Sequence, residues 1–390
     1  MHKLSDKMYK ISIILPVYNV QNYLAKCFDS LFKQTIGFDN LQIIFVDNCS
    51  TDNSCSIIDK YAEEYNNVLS IHLHNNSGSP STPRNEGIKF AFAEYVLFLD
   101  SDDFMKNNAC EILYSKIISS NADVVVAGYQ KENWLAYWKS TLDSGESLIK
   151  DPKNNISIYF NPPGLGAKLF KKEFLIKNHI KFPQINFEDL PFLTKCYINA
   201  NSVLSLNKFI AYEYTVRNDE NNKSITQNIT INSIYSILES FNLTLDLLEE
   251  YEINPNLRKL YFTKNHFNFL RVQIINSNIS DKEFSELFNS ELFLKFRNRE
   301  FILEDKELNN YFNELSEHPK TVSGKILQKI CKRTQKELLD YDKFTNETPY
   351  HDVSKLEDNI KIEEIEKKLY SFIRRNAQLN NFIEDNKKIN

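Results

Sequence analysis

The chain has 390 residues, enough for two or three domains with cores of their own, and its 42% hydrophobic and 25% charged content is that of a globular protein. A net charge of -5 argues against a general nucleic-acid binder, whose affinity rests on neutralising phosphates, and a total of 8 glycines excludes collagen-like or glycine-linker architecture. No apolar run is long enough to span a bilayer, and residues 1–7 lack the apolar core of a secretory signal.

Strand and helix alternate through the first hundred residues. Ile11–Val17 reads as a strand, Asn22–Gln34 as a helix burying Leu24, Cys27, Phe28 and Leu31, and Leu41–Val46 as a second strand. Ser50-Thr51-Asp52 opens a helix whose buried face carries Ile57, Ile58 and Tyr61. Val68–Leu73 is a third strand. His72 and His74 alternate on one side of it and, with no third ligand nearby in sequence, read as structural. Thr82 and Pro83 fit N-cap and N1 of the next helix, and Tyr95–Leu99 is a fourth strand. The alternation predicts an α/β fold with a parallel, doubly wound sheet. Residues 106–218 are less regular, with a strand at Val124–Ala127. Asn218–Lys223 is a polar loop, and Ile229 to Leu339 is mostly helical. In the tail, Ile362, Ile365, Leu369, Phe372, Asn376, Leu379 and Ile383 trace a short coiled-coil seam, with Asn376 at a position where a polar residue fixes register; it predicts a homo-oligomer, with one amphipathic helix packing on its own domain as the alternative. Cys27, Cys49, Cys55, Cys110, Cys196 and Cys331 show no metal-binding spacing and read as reduced thiols of a cytoplasmic protein.

The chemistry gathers at strand ends. Tyr95-Val96-Leu97-Phe98-Leu99 runs straight into Asp100, Asp102 and Asp103, so a buried strand delivers carboxylates to the carboxyl edge of the sheet, where open α/β sheets bind ligands. Carboxylates this close repel one another and suit a hard divalent cation held together with substrate phosphates. Leu15-Pro16-Val17-Tyr18-Asn19 ends the first strand and Asp47-Asn48 the second. Tyr18 can stack on a base, Asp47 or Asn48 can bond a base edge, and Arg84 and Asn85 can serve phosphate or ribose groups. Neither GxGxxG after the first strand nor GxxxxGK[ST] is present, so the sequence gives no support to dinucleotide or P-loop binding. Further on, Phe187-Glu188-Asp189-Leu190-Pro191-Phe192 sets two acids in apolar surroundings, where burial raises a carboxyl toward general-base range; helix capping is the alternative use.

The series PVYN, VDNCSTD, PRNEGI and FLDSDD, followed by the Glu188-Asp189 pair, resembles glycosyltransferase family 2, inverting enzymes with the GT-A nucleotide-diphospho-sugar transferase fold. The resemblance covers roughly residues 10–230. It implies that Asp102 coordinates Mn2+ or Mg2+ with the donor diphosphate and that Asp100 contacts the ribose. It implies that Pro16, Tyr18, Asp47 and Asn48 hold the nucleobase and that Arg84 sits near the ribose or diphosphate. Asn76 and Ser101 complete the nucleotide-sugar-binding set. Asp189 is then the catalytic base, Glu188 orients it or touches the acceptor, and Arg217, with Ser224-Ile225-Thr226, closes over the leaving group. One departure is Asn48, where the family usually has Asp; it suits uracil or thymine. Residues 1–105 then read as the nucleotide-sugar-binding half, 106–228 as the acceptor-binding half, 229–345 as a helical domain and 350–390 as an oligomerisation tail.

The stretch His74 to Asn85 is similar to one in wall teichoic acid ribitol-phosphate glycosyltransferases, and Gly166 to Phe170 fits the family's acceptor half. The expected function is transfer from a UDP-sugar to a hydroxyl of a polymeric or lipid-linked cell-surface glycan. A basic helix face of Lys325, Lys329, Lys332, Arg333 and Lys336, opposite Ile326, Leu327 and Ile330, suits an anionic polymer or peripheral contact with the inner face of the plasma membrane. A nucleotide-sugar-binding scaffold without turnover is the rival, against which Asp102 and Asp189 both weigh.

Overall fold

The computed structural model describes residues 9–131, 137–138, 145–155, 158–159, 164–215, 217, 229–262, 269–270, 273–274, 277 and 279–317. The chain divides into two units, Met1–Thr334 and Gln335–Asn390, and every described residue lies in the first. The Asn218–Lys223 loop, Ser224–Thr226, the basic face at 325–336 and the seam at 362–383 lie outside the described residues.

Four strands occupy their predicted places: β1 Ile11–Val17, β2 Leu41–Asp47, β3 Val68–His72 and β4 Tyr95–Phe98. They pair in parallel in the order β3-β2-β1-β4. The near-continuous apolar runs of β1, β2 and β4 follow from burial on both faces, whereas β3 is a half-exposed edge strand; helices α1 Leu24–Phe32, α2 Ser54–Glu64 and α3 Ser81–Lys89 cover the sheet. A Cβ on Gly87 would overlap Ile14, so glycine is what lets α3 approach β1.

Two helix starts differ from expectation. α2 begins after Asn53, because Asp52 bonds the Ser54 and Gln21 amides and Ser54 Oγ accepts the Val20 amide, stitching this turn to the end of β1. α3 is capped at Pro80, which puts Thr82 and Pro83 inside its first turn, and Thr82 Oγ1 bonds Gln184 Oε1 instead.

The rest of the sheet is mixed, which corrects the all-parallel expectation. After β5 Phe104–Met105 and α4 Ala109–Ser120 come β6 Val124–Lys131, β7 Tyr137–Trp138, β8 Glu146–Lys150, β9 Lys168–Lys171 and β10 Ser202–Tyr214. β9 inserts antiparallel between β4 and β6, and β10 runs parallel to β6 but antiparallel to β5 and β8. Among the described residues the chain between β6 and β9 carries β7 and β8 and no α-helix, in keeping with the antiparallel pairing of β9 with β6.

Helices α5 Lys172–Lys177 and α6 Asp189–Asn199 flank the segment leading to the acid pair. Phe182 stacks on Phe192 at 3.8 Å, and Phe98 meets Phe182 edge-on at 5.0 Å, which fixes this segment against β4. α7 Ile231–Glu250, opened by a Thr230–Ser233 capping box, packs against α6. Further helices at Pro255–Tyr261, Asp281–Phe288, Glu291–Arg297, Glu300–Leu303 and Lys306–Glu317 agree with the helical periodicity expected there. Among the described residues no helix is long and apolar enough to cross a membrane.

Candidate active site

The three strand ends meet at one edge. Tyr18, after β1, is 45% exposed and presents a free aromatic face. Pro16 C=O accepts a hydrogen bond from Ser101 Oγ at 2.8 Å, which joins the ends of β1 and β4. Asp47, at the end of β2, is buried and accepts the Ser50 amide on both oxygens, at 3.1 and 3.2 Å. Asn48 is buried too, and its amide is used up on the neighbouring loop. Its Oδ1 accepts from Ser77 N and Ser77 Oγ, while its Nδ2 donates to Asn76 Oδ1 and Ser79 C=O. The structure therefore makes Asn48 and Asn76 a loop anchor, where the sequence reading expected groups facing a nucleotide.

The three aspartates after β4 do not converge as one cation cluster. Like charges this close separate, and each finds its own partner. Asp100 Oδ1 accepts from Arg84 Nη2 at 2.6 Å, and Asp102 Oδ2 accepts from Arg217 Nε at 2.7 Å. Asp103 is buried and turned toward β10, accepting from the Tyr212 hydroxyl and, at 2.6 Å, from the Thr215 amide. Asp103 thus ties the carboxylate turn to the strand end that carries Arg217.

Arg84 is the hub. The side chain of Arg84 is 3% exposed, its Nη1 bonds Glu188 and, at 3.1 Å, Asp189 Oδ1, and its Nη2 holds Asp100. The resemblance places Arg84 near the ribose or diphosphate, and the structure encloses its guanidinium among three carboxylates, one of them Asp100. Its neighbours on α3 explain the position. Ser81 Oγ bonds Pro183 C=O at 2.5 Å, and Asn85 clamps both main-chain groups of Phe182, at 2.8 and 2.9 Å. Asn85 is committed to that contact, which again differs from the ribose or phosphate role expected. α3 and residues 182–185 are zipped together, and the acid pair follows directly. Phe187 adopts a φ of 59°, a strained conformation for a bulky residue, and α7 steadies the turn by donating Ser240 Oγ to Phe187 C=O at 2.7 Å.

Residues 12–173 match the sequence profile described as Glycosyl transferase family 2. The Staphylococcus aureus protein named poly(ribitol-phosphate) beta-N-acetylglucosaminyltransferase TarP is 32% identical over 244 residues, which is 59% of this chain and 72% of the relative. The chain belongs to glycosyltransferase family 2. A poly(ribitol-phosphate) beta-glucosyltransferase of Bacillus spizizenii is 30% identical over 282 residues, 72% of this chain and 44% of the relative. With TarS of S. aureus matched over 48% of its length, the chain spans about half the length of these two curated relatives. The crystal structure of S. aureus TarS 1–349 in complex with UDP-GlcNAc superposes with a TM-score of 0.65 at 23% identity, covering 84% of this chain and 92% of that one. The mixed sheet with its flanking helices is accordingly a GT-A-like α/β fold.

Electrostatics sharpen the picture of this family 2 site. Burial raises the Asp189 carboxyl well above the usual range, with Glu188 and Asp100 adding to the rise and Arg84 opposing it. Burial also raises Asp102, against the pull of Arg217, and raises Asp103 further with help from Asp102 and Asp100. Arg84 itself is held charged, as the carboxylates of Asp100, Asp189 and Glu188 outweigh its burial.

Two features escaped the sequence reading. Lys168 on β9 is buried; its ammonium bonds Gly164 C=O, and burial pushes it down to about 7, with Asp189 opposing. The available signal was a lysine flanked by the apolar residues Ala167 and Leu169. His72 has the neighbours it lacked in sequence, because the β2–β3 register places it opposite Asp47, and Cys55 on the first turn of α2 reaches the same carboxylate. Burial and the Asp47 contact push the Cys55 thiol up to about 11.

Proposed function

We propose that this chain is a metal-dependent inverting glycosyltransferase that moves a sugar from a UDP-sugar to a hydroxyl of a cell-surface polymer. A poly(ribitol-phosphate) chain is the acceptor class favoured by the relatives' names, and N-acetylglucosamine or glucose the sugar. The observation that carries the reading is the Arg84 hub, which gathers Asp100 from the donor-side strand end and Glu188–Asp189 from the acceptor side at one guanidinium.

In this reading Tyr18 stacks on the base, Asp47 bonds its edge, and Asp100 faces the ribose. Pro16 and Ser101 shape the floor of the pocket, while Asn48 and Asn76 hold the loop above it. Asp102 offers a hard oxygen donor of the kind that Mn2+ or Mg2+ takes together with substrate phosphates, and Arg217 already balances its charge. Bound there, the ion supplies charge neutralisation to the departing diphosphate. Asp189 takes the proton of the acceptor hydroxyl. The acceptor oxygen attacks the anomeric carbon from the face opposite the diphosphate, whose oxygen leaves with the bonding pair, so an α-linked donor gives a β-glycoside. Glu188 and Arg84 set the position and proton affinity of Asp189, and Arg217 moves from Asp102 toward the leaving group. The protein acts in the cytoplasm, at the inner membrane face where surface polymers are assembled, and the tail at 350–390 joins copies of the chain.

A panel of UDP- and dTDP-sugars with manganese and a ribitol-phosphate polymer tests this. One donor should be consumed with transfer; Asp189→Asn should abolish transfer and keep nucleotide binding, while Asp102→Ala should abolish manganese-dependent nucleotide binding. A wild-type protein that neither binds nor consumes any donor overturns the proposal.

A further inference from the structure

At the end of β3, the fold assembles ligand atoms that the sequence keeps apart. Asp47 Oδ2 lies 3.7 Å from His72 Nδ1 and 3.2 Å from Cys55 Sγ, and all three ligand atoms lie within 4.8 Å of one another. A tetrahedral zinc ion, with bonds of about 2.0 Å to oxygen and nitrogen and about 2.3 Å to sulfur, spaces its ligand atoms by roughly 3.3–3.6 Å. Two of the three edges already have about that length.

The surroundings are those of an oriented ligand set. On the other side of the imidazole, Nε2 is 2.8 Å from Asp59 Oδ1, which also accepts Ser70 Oγ at 2.7 Å. With Nε2–H donating to Asp59, Nδ1 is the nitrogen left with a lone pair, and it lies 3.7 Å from Asp47 Oδ2. A carboxylate behind the histidine is the arrangement that fixes the tautomer and ring angle of a metal-bound imidazole. Asp47 is held by the Ser50 amide, and the His72 side chain is 40% exposed, so an ion can enter from solvent.

We propose that Asp47, Cys55 and His72 form a second cation site, separate from the Asp100–Asp102 turn, that takes a borderline-soft divalent ion of the zinc class. One sulfur, one nitrogen and one oxygen donor select zinc over magnesium and manganese, whereas the Asp100–Asp102 turn offers oxygen alone. On binding, the Cys55 S–H bond breaks, its proton goes to solvent and sulfur bonds the metal, so binding releases a proton. Asp47 is also the proposed nucleobase contact. Zinc and the donor nucleotide therefore compete for one carboxylate, and this competition, unlike the site itself, rests on the function proposed above.

The test uses cobalt as the spectroscopic stand-in for zinc. The metal-free full chain, titrated with Co2+, should develop a near-ultraviolet thiolate-to-cobalt band at one equivalent that zinc abolishes. Cys55→Ser and His72→Ala, checked for native circular dichroism, should lose the band, and Cys49→Ser, which alters an exposed thiol outside the cluster, should keep it. No band, or one that survives Cys55→Ser, overturns the site whatever the nucleotide does. Saturating UDP should weaken cobalt binding in the wild type by at least about tenfold, since ligands of one group exclude each other. A normal band indifferent to bound UDP supports the cation site and overturns the placing of the base at Asp47.

Discussion

Arg84→Gln is the substitution that most directly interrogates this site. It removes one cation from among three carboxylates while keeping a polar side chain of similar length. The arms are unequal. Arg84 and Glu188 have side chains 3% and 5% exposed, whereas those of Asp189 and Asp100 are 28% and 39% exposed. Breaking a buried pair by removing one partner costs about 3–5 kcal/mol, and each partly solvated arm adds about 0–1 kcal/mol. The total, about 4 kcal/mol near neutral pH, comes mostly from stranding Glu188 and should lower the urea midpoint by roughly 1–2 M. The sign of the pH dependence is fixed as well. Asp189 is raised in the folded state, so it binds more protons folded than unfolded, and its contribution falls as pH rises through its folded value. Loss of Arg84 raises it further, so the deficit should be larger at pH 8 than at pH 5. Arg84→Lys should recover less than half of the loss, because a point charge cannot span three carboxylates. Urea unfolding of the three proteins at both pH values is the assay. A loss below about 1 kcal/mol, or one that does not change with pH, would refute the hub as an energetic unit.

Lys168→Met tests the buried ammonium. With the folded value near 7, the unfolded chain binds more protons above neutrality, so wild-type stability should rise from about pH 7 toward pH 10, by up to about 5 kcal/mol, and the Met variant should lack that rise in thermal melts. A Cβ on Gly166 would overlap the Tyr212 ring, so Gly166→Ala should push Tyr212 off Asp103 and cost about 1–3 kcal/mol in urea unfolding; a neutral outcome would show that the ring has room to move. Ser240→Ala removes the donor that steadies Phe187 and should cost about 1 kcal/mol while lowering transfer without changing UDP affinity, which calorimetry and turnover together measure.

The parallel half of the fold was legible because its signals are local. Ile11–Val17 and residues 41–46 are apolar runs broken only by Ser12 and Gln42, and the polar residues that follow them mark the binding edge. The mixed half was not, since nothing within Lys168–Lys171 says that it slots antiparallel between β4 and β6; that choice belongs to the connection. In the site, residue types were readable and their partners were not. Asp103 looks like Asp100 in sequence, yet Tyr212 and Thr215, more than a hundred residues away, turn it into a structural tie. Asn48 looked like a base contact, and a loop carrying Ser77 and Ser79 claimed its amide. His72 looked alone until the β2–β3 register set it beside Asp47.

Ser81, Arg84 and Asn85 sit within about one turn of α3 and all reach across to residues 182–189. The helix works as a ruler laid against a distant line of text. Because each helical residue turns the face by about 100°, a single insertion within Ser81–Asn85 would rotate the residues after it by that angle relative to those before it, so the three side chains could no longer all meet their partners together. Natural variation in length should therefore avoid these two stretches, and chimeras made by exchanging halves between relatives should exchange α3 and residues 182–189 as a pair.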